Sequence, residues 1–326
     1  DPVMDYEKDL VASAAVSVPK PKRSVRIKKY LKRVYAHKMF YLMLMPAVVL
    51  LAIFAYWPMY GILIAFKDFS YRQGILGSDW CGPENFTALF ELDMFWRAFR
   101  NTIVINLLKL LFGFVSPILM AIMLNAVSVK RLKNALQTIV YLPHFVSWVV
   151  VSGLLFSLFD TTSGAIYNFF GPFGIELNVF SNNAQFLALG VISDIWKEVG
   201  WGAIIYLAAL TNISPEYYEA ARIDGANSVQ QFFRITLPLI TTTIAIMFIL
   251  RVGGIVSGGF DQLYNLYNTQ VYEVGDILDT FLYRYGIGRG QYSLGTAVGL
   301  FTNLINVVLL LTANFIVKRL GGEGLY

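Results

Sequence analysis

The chain is poor in the residues that build covalent frameworks and metal centres. One cysteine, Cys81, in 326 residues excludes an internal disulfide and a thiolate metal site. The two histidines, His37 and His144, have no partners at metal-ligand spacing. No G-x-x-x-x-G-K-[ST] phosphate loop is present, and no Ser/His/Asp arrangement offers a nucleophile with its base. Charge is scarce as well: 14% of residues are Asp, Glu, Lys or Arg, where soluble domains carry about 25%. What replaces them is apolar. Hydrophobic residues make up 56% of the chain and the mean hydropathy is +0.57, too much oil for a water-soluble core of this length.

A spanning helix needs about 20 mostly apolar residues. Six stretches meet that condition: 40–66, 98–127, 135–159, 186–210, 238–256 and 293–317. The fifth is the weakest, because Arg251, Gly253 and Gly254 interrupt its end. Basic residues crowd the N-terminal segment (Lys20, Lys22, Arg23, Arg26, Lys28, Lys29, Lys32, Arg33), the loop after the second stretch (Lys130, Arg131, Lys133) and the C-terminus (Lys318, Arg319). By the positive-inside bias, that side is cytoplasmic, and an even number of spans puts both termini there. The net charge of +5 therefore follows topology and does not point to nucleic acid. Residues 1–24 read as disordered, and 25–38 as a segment that either lies along anionic headgroups or stays solvated. No cleavable signal peptide is expected, since the basic cluster runs straight into a full-length span.

The most informative stretch is polar. Residues 214–238 read SPEYYEAARIDGANSVQQFFRITLP. Ser214 suits a helix cap, Pro215 a first helical position, and Glu216 the positive end of the helix dipole. The helix should reach about Ile223, where Asp224 and Gly225 make a turn. A second short helix should start near Ser228 and lead to Pro238. Glu219-Ala220-Ala221, Asp224-Gly225-Ala226, then Phe232 or Phe233, Ile235, Leu237 and Pro238 resemble the EAA loop of bacterial ABC importer permeases. The resemblance implies an all-α fold: a polytopic bundle of six transmembrane helices with a cytoplasmic coupling-helix loop at 213–238. It divides the chain into a cytoplasmic segment 1–39, a transmembrane domain 40–320 and a tail 321–326.

That resemblance also implies a division of labour. This chain is the non-catalytic membrane subunit in the bacterial inner membrane. It binds no cofactor of its own, while ATP and Mg sit on two ATP-binding partner subunits. Glu219, Ala220, Ala221, Asp224, Gly225 and Ala226 are the expected coupling surface: small Ala220 and Ala221 permit close approach, and Glu219 offers a carboxylate to a basic partner. A second, similar permease subunit and a periplasmic solute-binding protein complete the implied assembly. A transporter driven by an ion gradient would leave 219–238 unexplained.

Two further stretches, Asp194-Ile-Trp-Lys-Glu-Val-Gly-Trp-Gly and Gly258-Gly-Phe-Asp-Gln-Leu-Tyr-Asn-Leu-Tyr-Asn, resemble permeases of the oligosaccharide class. Lys109, Lys197 and Arg251 fall well inside expected spans, where a charge is costly and normally faces a bundle interior or a wet cavity. The three form a candidate path for a polyanionic sugar such as alginate. The competing reading is internal pairing. For Lys197 it is the stronger one, with Asp194 and Glu198 on its own helix; Lys109 and Arg251 have no acid in their own spans. Neutral oligosaccharide and glycerol phosphate remain alternative cargoes. The outward loops carry more acids than bases, which repels a free polyanion and favours delivery by a binding protein.

Overall fold

Backbone polar groups taken out of water must be satisfied locally, and helices achieve this within one segment. The apolar runs are accordingly helical. The computed structural model describes residues 35–319 together with 321, 322 and 324. The readings made for 1–24, for nearly all of 25–38 and for most of the tail lie outside the described residues. The chain divides into two compact units, 1–60 and 61–326. In the first, a helix runs from Lys38, and none of the fourteen residues Lys38–Leu51 is buried although almost all are apolar. A helix that is hydrophobic all round and exposed suits contact with lipid or with other helices rather than water.

Helix α1 (Lys38–Phe66) is followed by α2 (Asp93–Ala126), α3 (Lys130–Tyr141), α4 (Trp148–Leu158), α5 (Asn183–Thr211), α6 (Pro215–Ile223), α7 (Ser228–Val252) and α8 (Tyr292–Arg319). Among the described residues, α1, α2, α7 and α8 are long and apolar enough to cross a membrane. A fifth candidate is the pair 130–145 and 148–158, bent by 97° at its break. The straight span expected at 135–159 is thus broken. Pro143 contributes no N–H, the chain tightens into a 3-10 turn at Leu142–Phe145, and Ser147 caps α4 by accepting from the Val150 amide. α5 has 29 residues, long enough at about 43 Å, but carries Asp194, Lys197 and Glu198 in its middle. α7 starts at Ser228 as expected, but the short helix expected there and the span expected from Pro238 run on as one helix, through a wide π turn at Phe232–Thr236 just before the proline, and it stops at Val252, before the Gly253–Gly254 pair and short of the expected residue 256.

Within the second unit α5 lies along α2. One apolar cluster joins Ala121 and Leu124 of α2 to Ala203, Tyr206, Leu207 and Leu210 of α5 and Ile240 of α7. Another joins Phe95 and Ala98 of α2 to Leu278, Phe281, Ala297 and Val298. Three asparagines then tie down the chain after α7. Asn101 donates to the carbonyls of Glu273 (2.8 Å) and Asp276 (3.0 Å), and Asn106 to that of Ile255 (2.8 Å). Asn306 accepts from the Val256 amide at 3.1 Å and donates to Ser257 Oγ at 3.0 Å. Asp276 is buried and paired with Arg284 at 2.6 Å.

Close approach of α5 to the end of α3 depends on Gly200. A methyl group there would come within 2.1 Å of the Val140 carbonyl oxygen. Gly200→Ala is expected to lower stability by about 1–3 kcal/mol through overpacking. The readout is the thermal unfolding midpoint in detergent, with Gly153→Ala, which meets no atom within 4 Å, as the control.

Candidate functional site

Two features stand out from the lipid-like bulk. The first is the polar loop at 214–238. Ser214 accepts from the Glu216 amide, Pro215 opens α6, and the helix ends at Ile223 as its residues dictate. Gly225 has φ +80°, a left-handed conformation that suits glycine and closes the turn. Asn227 and Gln230 then cap each other's backbone reciprocally, at 2.9 Å each way, and launch α7. Glu219, Ala220, Asp224 and Gly225 are exposed, and Ala221 and Ala226 half-buried. Ile223 and Val229 present bare apolar side chains, 87% and 65% accessible. The loop is nonetheless braced: the Tyr218 and Thr236 hydroxyls meet at 2.9 Å, linking α6 to α7. A push on α6 therefore reaches the span directly. Asn227→Ala should remove about 1 kcal/mol of cap, seen as faster hydrogen exchange over 228–236.

The second feature is a charge cluster between helices. Lys109 of α2 lies 2.9 Å from Asp194 Oδ1 of α5, and the side chains are only 4% and 14% accessible. Lys109 Nζ also donates to Gln262 Oε1. Gln262 is held in that orientation by donating to the Gly190 carbonyl (2.6 Å) and Ser193 Oγ (2.9 Å). Arg251, in the last turn of α7, reaches Asp194 Oδ2 at 3.7 Å and is half exposed. Asp194 thus serves Lys109 and Arg251, the two cations with no acid in their own spans. Lys197 turns elsewhere, to Glu198 (3.4 Å) and the His144 carbonyl (2.5 Å). His144 in turn bonds Glu198 through Nδ1 at 2.8 Å and stacks on Trp201 at 4.5 Å. The three cations do not form one continuous row: Lys109 and Arg251 share one acid, and Lys197 belongs to a separate knot at the bend between α3 and α4.

Two cavities border this cluster. One, of about 510 Å³, is lined by Trp148, Asp194, Glu198, Trp201, Arg251 and Gln262 among others. A smaller one, of about 220 Å³, has Asn106 and Lys109 in its wall. Asp194, Arg251, Gly258 and Gly259 line both. Just outside the spans, Asp279 accepts from the Gly258 amide at 2.9 Å, and burial raises its carboxyl above the usual carboxylate range. Gln262 and Ser193 were not singled out in the sequence. Their signal is conditional: a buried lysine needs neutral acceptors as well as an acid, but which ones depends on the fold.

Known proteins are similar to this chain in sequence and fold. Residues 113–322 match the family described as "Binding-protein-dependent transport system inner membrane component". The chain is 41% identical over 315 residues to the polygalacturonan/rhamnogalacturonan transport system permease protein YteP of Bacillus subtilis, covering 96% of each. Its fold is similar, with a TM-score of 0.82 and 39% identity, to a chain of a bacterial ABC transporter involved in the import of the acidic polysaccharide alginate, covering 90% of this chain and 99% of that one. A second structure, of a bacterial alginate ABC transporter in complex with alginate pentasaccharide-bound periplasmic protein, gives a TM-score of 0.83 at 37% identity, with the same coverage. Several apolar helices long enough to cross a membrane, joined to a capped and exposed polar loop, suit a membrane component of a transporter, and the chain belongs to the family of inner-membrane components of binding-protein-dependent ABC importers.

Proposed function

We propose that this chain is one of two similar membrane subunits of an importer for acidic oligosaccharides, uronate polymers in particular. A periplasmic binding protein delivers the substrate. Two ATP-binding subunits dock on α6 and drive the spans between inward-facing and outward-facing states. In this reading the protein crosses the bacterial inner membrane six times: α1, α2, the bent α3–α4 pair, α5, α7 and α8, with both termini in the cytoplasm. α5 tolerates its three charges because each has a partner within the protein.

The observation that carries the machine is the braced loop at 214–238, with exposed Glu219 and Ala220 on a rigid helix. The cargo class rests on the relatives: polygalacturonan and alginate are both acidic sugar chains. The test is ATP hydrolysis by the complete importer, reconstituted with its binding protein and offered uronate or neutral oligosaccharides. Stimulation by the uronates is the expected result. Stimulation by neutral sugars alone would overturn the cargo while leaving the fold and the family intact.

A further inference from the structure

The end of α2 that lies away from the polar loop carries two arginines with little to hold them. Asn125 and Ala126, at the other end, line a cavity with Tyr218 and Arg222 of that loop. Near the start of α2 a hollow of about 510 Å³ is walled by Trp96, Arg97 and Arg100 and by Glu273. Among the described residues Arg97 makes no hydrogen bond or ion pair, and its Nε is shut away from solvent without an acceptor. Arg100 makes two long contacts, to the Glu273 carbonyl at 3.4 Å and to Asn101 Oδ1 at 3.3 Å. The neighbouring acids do not neutralise the pair. The Glu273 carboxylate accepts from Asn183 Nδ2 at 3.2 Å, and Asp276 is taken by Arg284. Asp93, one turn before Arg97, is exposed to water and lies outside the wall. Two guanidiniums against one carboxylate leave the wall with one positive charge in excess.

Depth selects the anion that suits this hollow. α2 has 34 residues and is about 51 Å long, against about 30 Å of hydrocarbon, so about two turns at each end stand among the headgroups. Trp96, exposed and steadied by donating to the Phe90 carbonyl at 2.8 Å, is a residue type enriched at that level. Below Arg100 the same helix face continues as Val104, Leu107 and Leu111, all exposed, four, seven and eleven residues on. That apolar stripe reaches about 16 Å down the helix, close to the depth of one leaflet. We propose that this is a binding site for an anionic phospholipid, with Arg97 and Arg100 on the phosphodiester and an acyl chain along Val104, Leu107 and Leu111. The planar fork of a guanidinium matches two phosphate oxygens and gives Arg97 Nε its acceptor. One phosphodiester carries one negative charge, which balances the wall. Glu273 accepts from headgroup hydroxyls. An acidic protein loop would satisfy the arginines but has no use for a stripe that descends into hydrocarbon. The lipid bridges α2 to the segment after α7 and, through Glu273 and Asn183, to the start of α5. The site is independent of which sugar is carried.

The test titrates the complete importer in detergent with dioleoyl phosphatidylglycerol, dioleoyl phosphatidylcholine or inorganic phosphate. Bound lipid is counted by native mass spectrometry and the thermal midpoint is read in parallel. Phosphatidylglycerol is expected to bind best and to raise the midpoint, phosphatidylcholine to do less, and phosphate, which has no chain, to do nothing. Arg97→Gln and Arg100→Gln should each weaken phosphatidylglycerol roughly fivefold, the effect of one basic residue at a charged membrane surface. Binding of phosphatidylcholine serves as the internal control, since a misfolded variant loses both lipids and a lost site loses only the preference. Equal binding of the two lipids by wild type, or an unchanged preference in the double variant Arg97→Gln/Arg100→Gln, overturns the site. So does protection by inorganic phosphate alone, or a double variant that keeps the lipid preference and loses only stimulation by the binding protein.

Discussion

Replacing Glu219 with arginine is expected to abolish transport while leaving the membrane subunit folded. The side chain is exposed in the middle of α6, and its carboxylate accepts no hydrogen bond within the chain among the described residues. Substitution there leaves the capping of α6, the Tyr218–Thr236 brace and the packing of α5 untouched. In the proposed docking on an ATP-binding subunit, what changes is the surface offered to that subunit: a carboxylate proposed to meet a basic partner becomes a cation that repels it. Breaking one side of a desolvated charge pair costs about 2–5 kcal/mol of association, which corresponds to roughly 30-fold or more in affinity. Transport in proteoliposomes should fall by at least that factor, while the variant's thermal midpoint in detergent matches wild type. Glu219→Gln, which keeps the shape and loses only the charge, should show a smaller defect. Normal transport by the arginine variant would remove Glu219 from the docking surface.

The loop could be read because every one of its determinants is local. Ser214, Pro215, Gly225 and Asn227 act on backbone within a few residues of themselves, so α6, its turn and the start of α7 follow from sequence order. The apolar runs were legible for a similar reason, since length and hydropathy need no neighbour. The bend at Pro143 was harder to see: the run 135–159 is apolar enough throughout, and whether a proline bends a helix depends on what packs at the break. The continuity of α7 across Pro238 was not legible, because a preceding π turn joins the short helix from Ser228 to the span where proline alone suggests a fresh start.

The charge cluster shows the opposite limit. Its members are 85 residues apart in one pair and 153 in another, Lys109 to Asp194 and Lys109 to Gln262. Sequence showed two cations without an acid in their own spans and one acid, Asp194, beside a lysine three residues on. The nearer lysine looked like the partner. In the fold, α5 turns Asp194 toward α2 and α7, and Lys197 toward the bend between α3 and α4. Proximity along one helix lost to packing between helices, because a buried lysine on α2 has more to gain from the carboxylate than a lysine already supplied by Glu198 and a backbone carbonyl.

That reasoning makes the Lys109–Asp194 pair the site of the largest expected loss of stability. Asp194→Ala leaves an ammonium group 4% accessible with Gln262 as its one remaining partner among the described residues. Removing one member of a buried ion pair costs about 3–5 kcal/mol, because the remaining charge stays desolvated. Lys109→Met has a related cost, with Gln262 Oε1 losing its donor besides. The double variant Lys109→Met/Asp194→Leu strands no charge of the pair. It should recover most of the loss, short of about 1–3 kcal/mol for the unsatisfied Gln262 oxygen. Thermal midpoints of the four proteins in one detergent close the double-mutant cycle. Strong positive coupling is the expected result. Additive single losses would mean that Asp194 does not hold Lys109 in the folded protein.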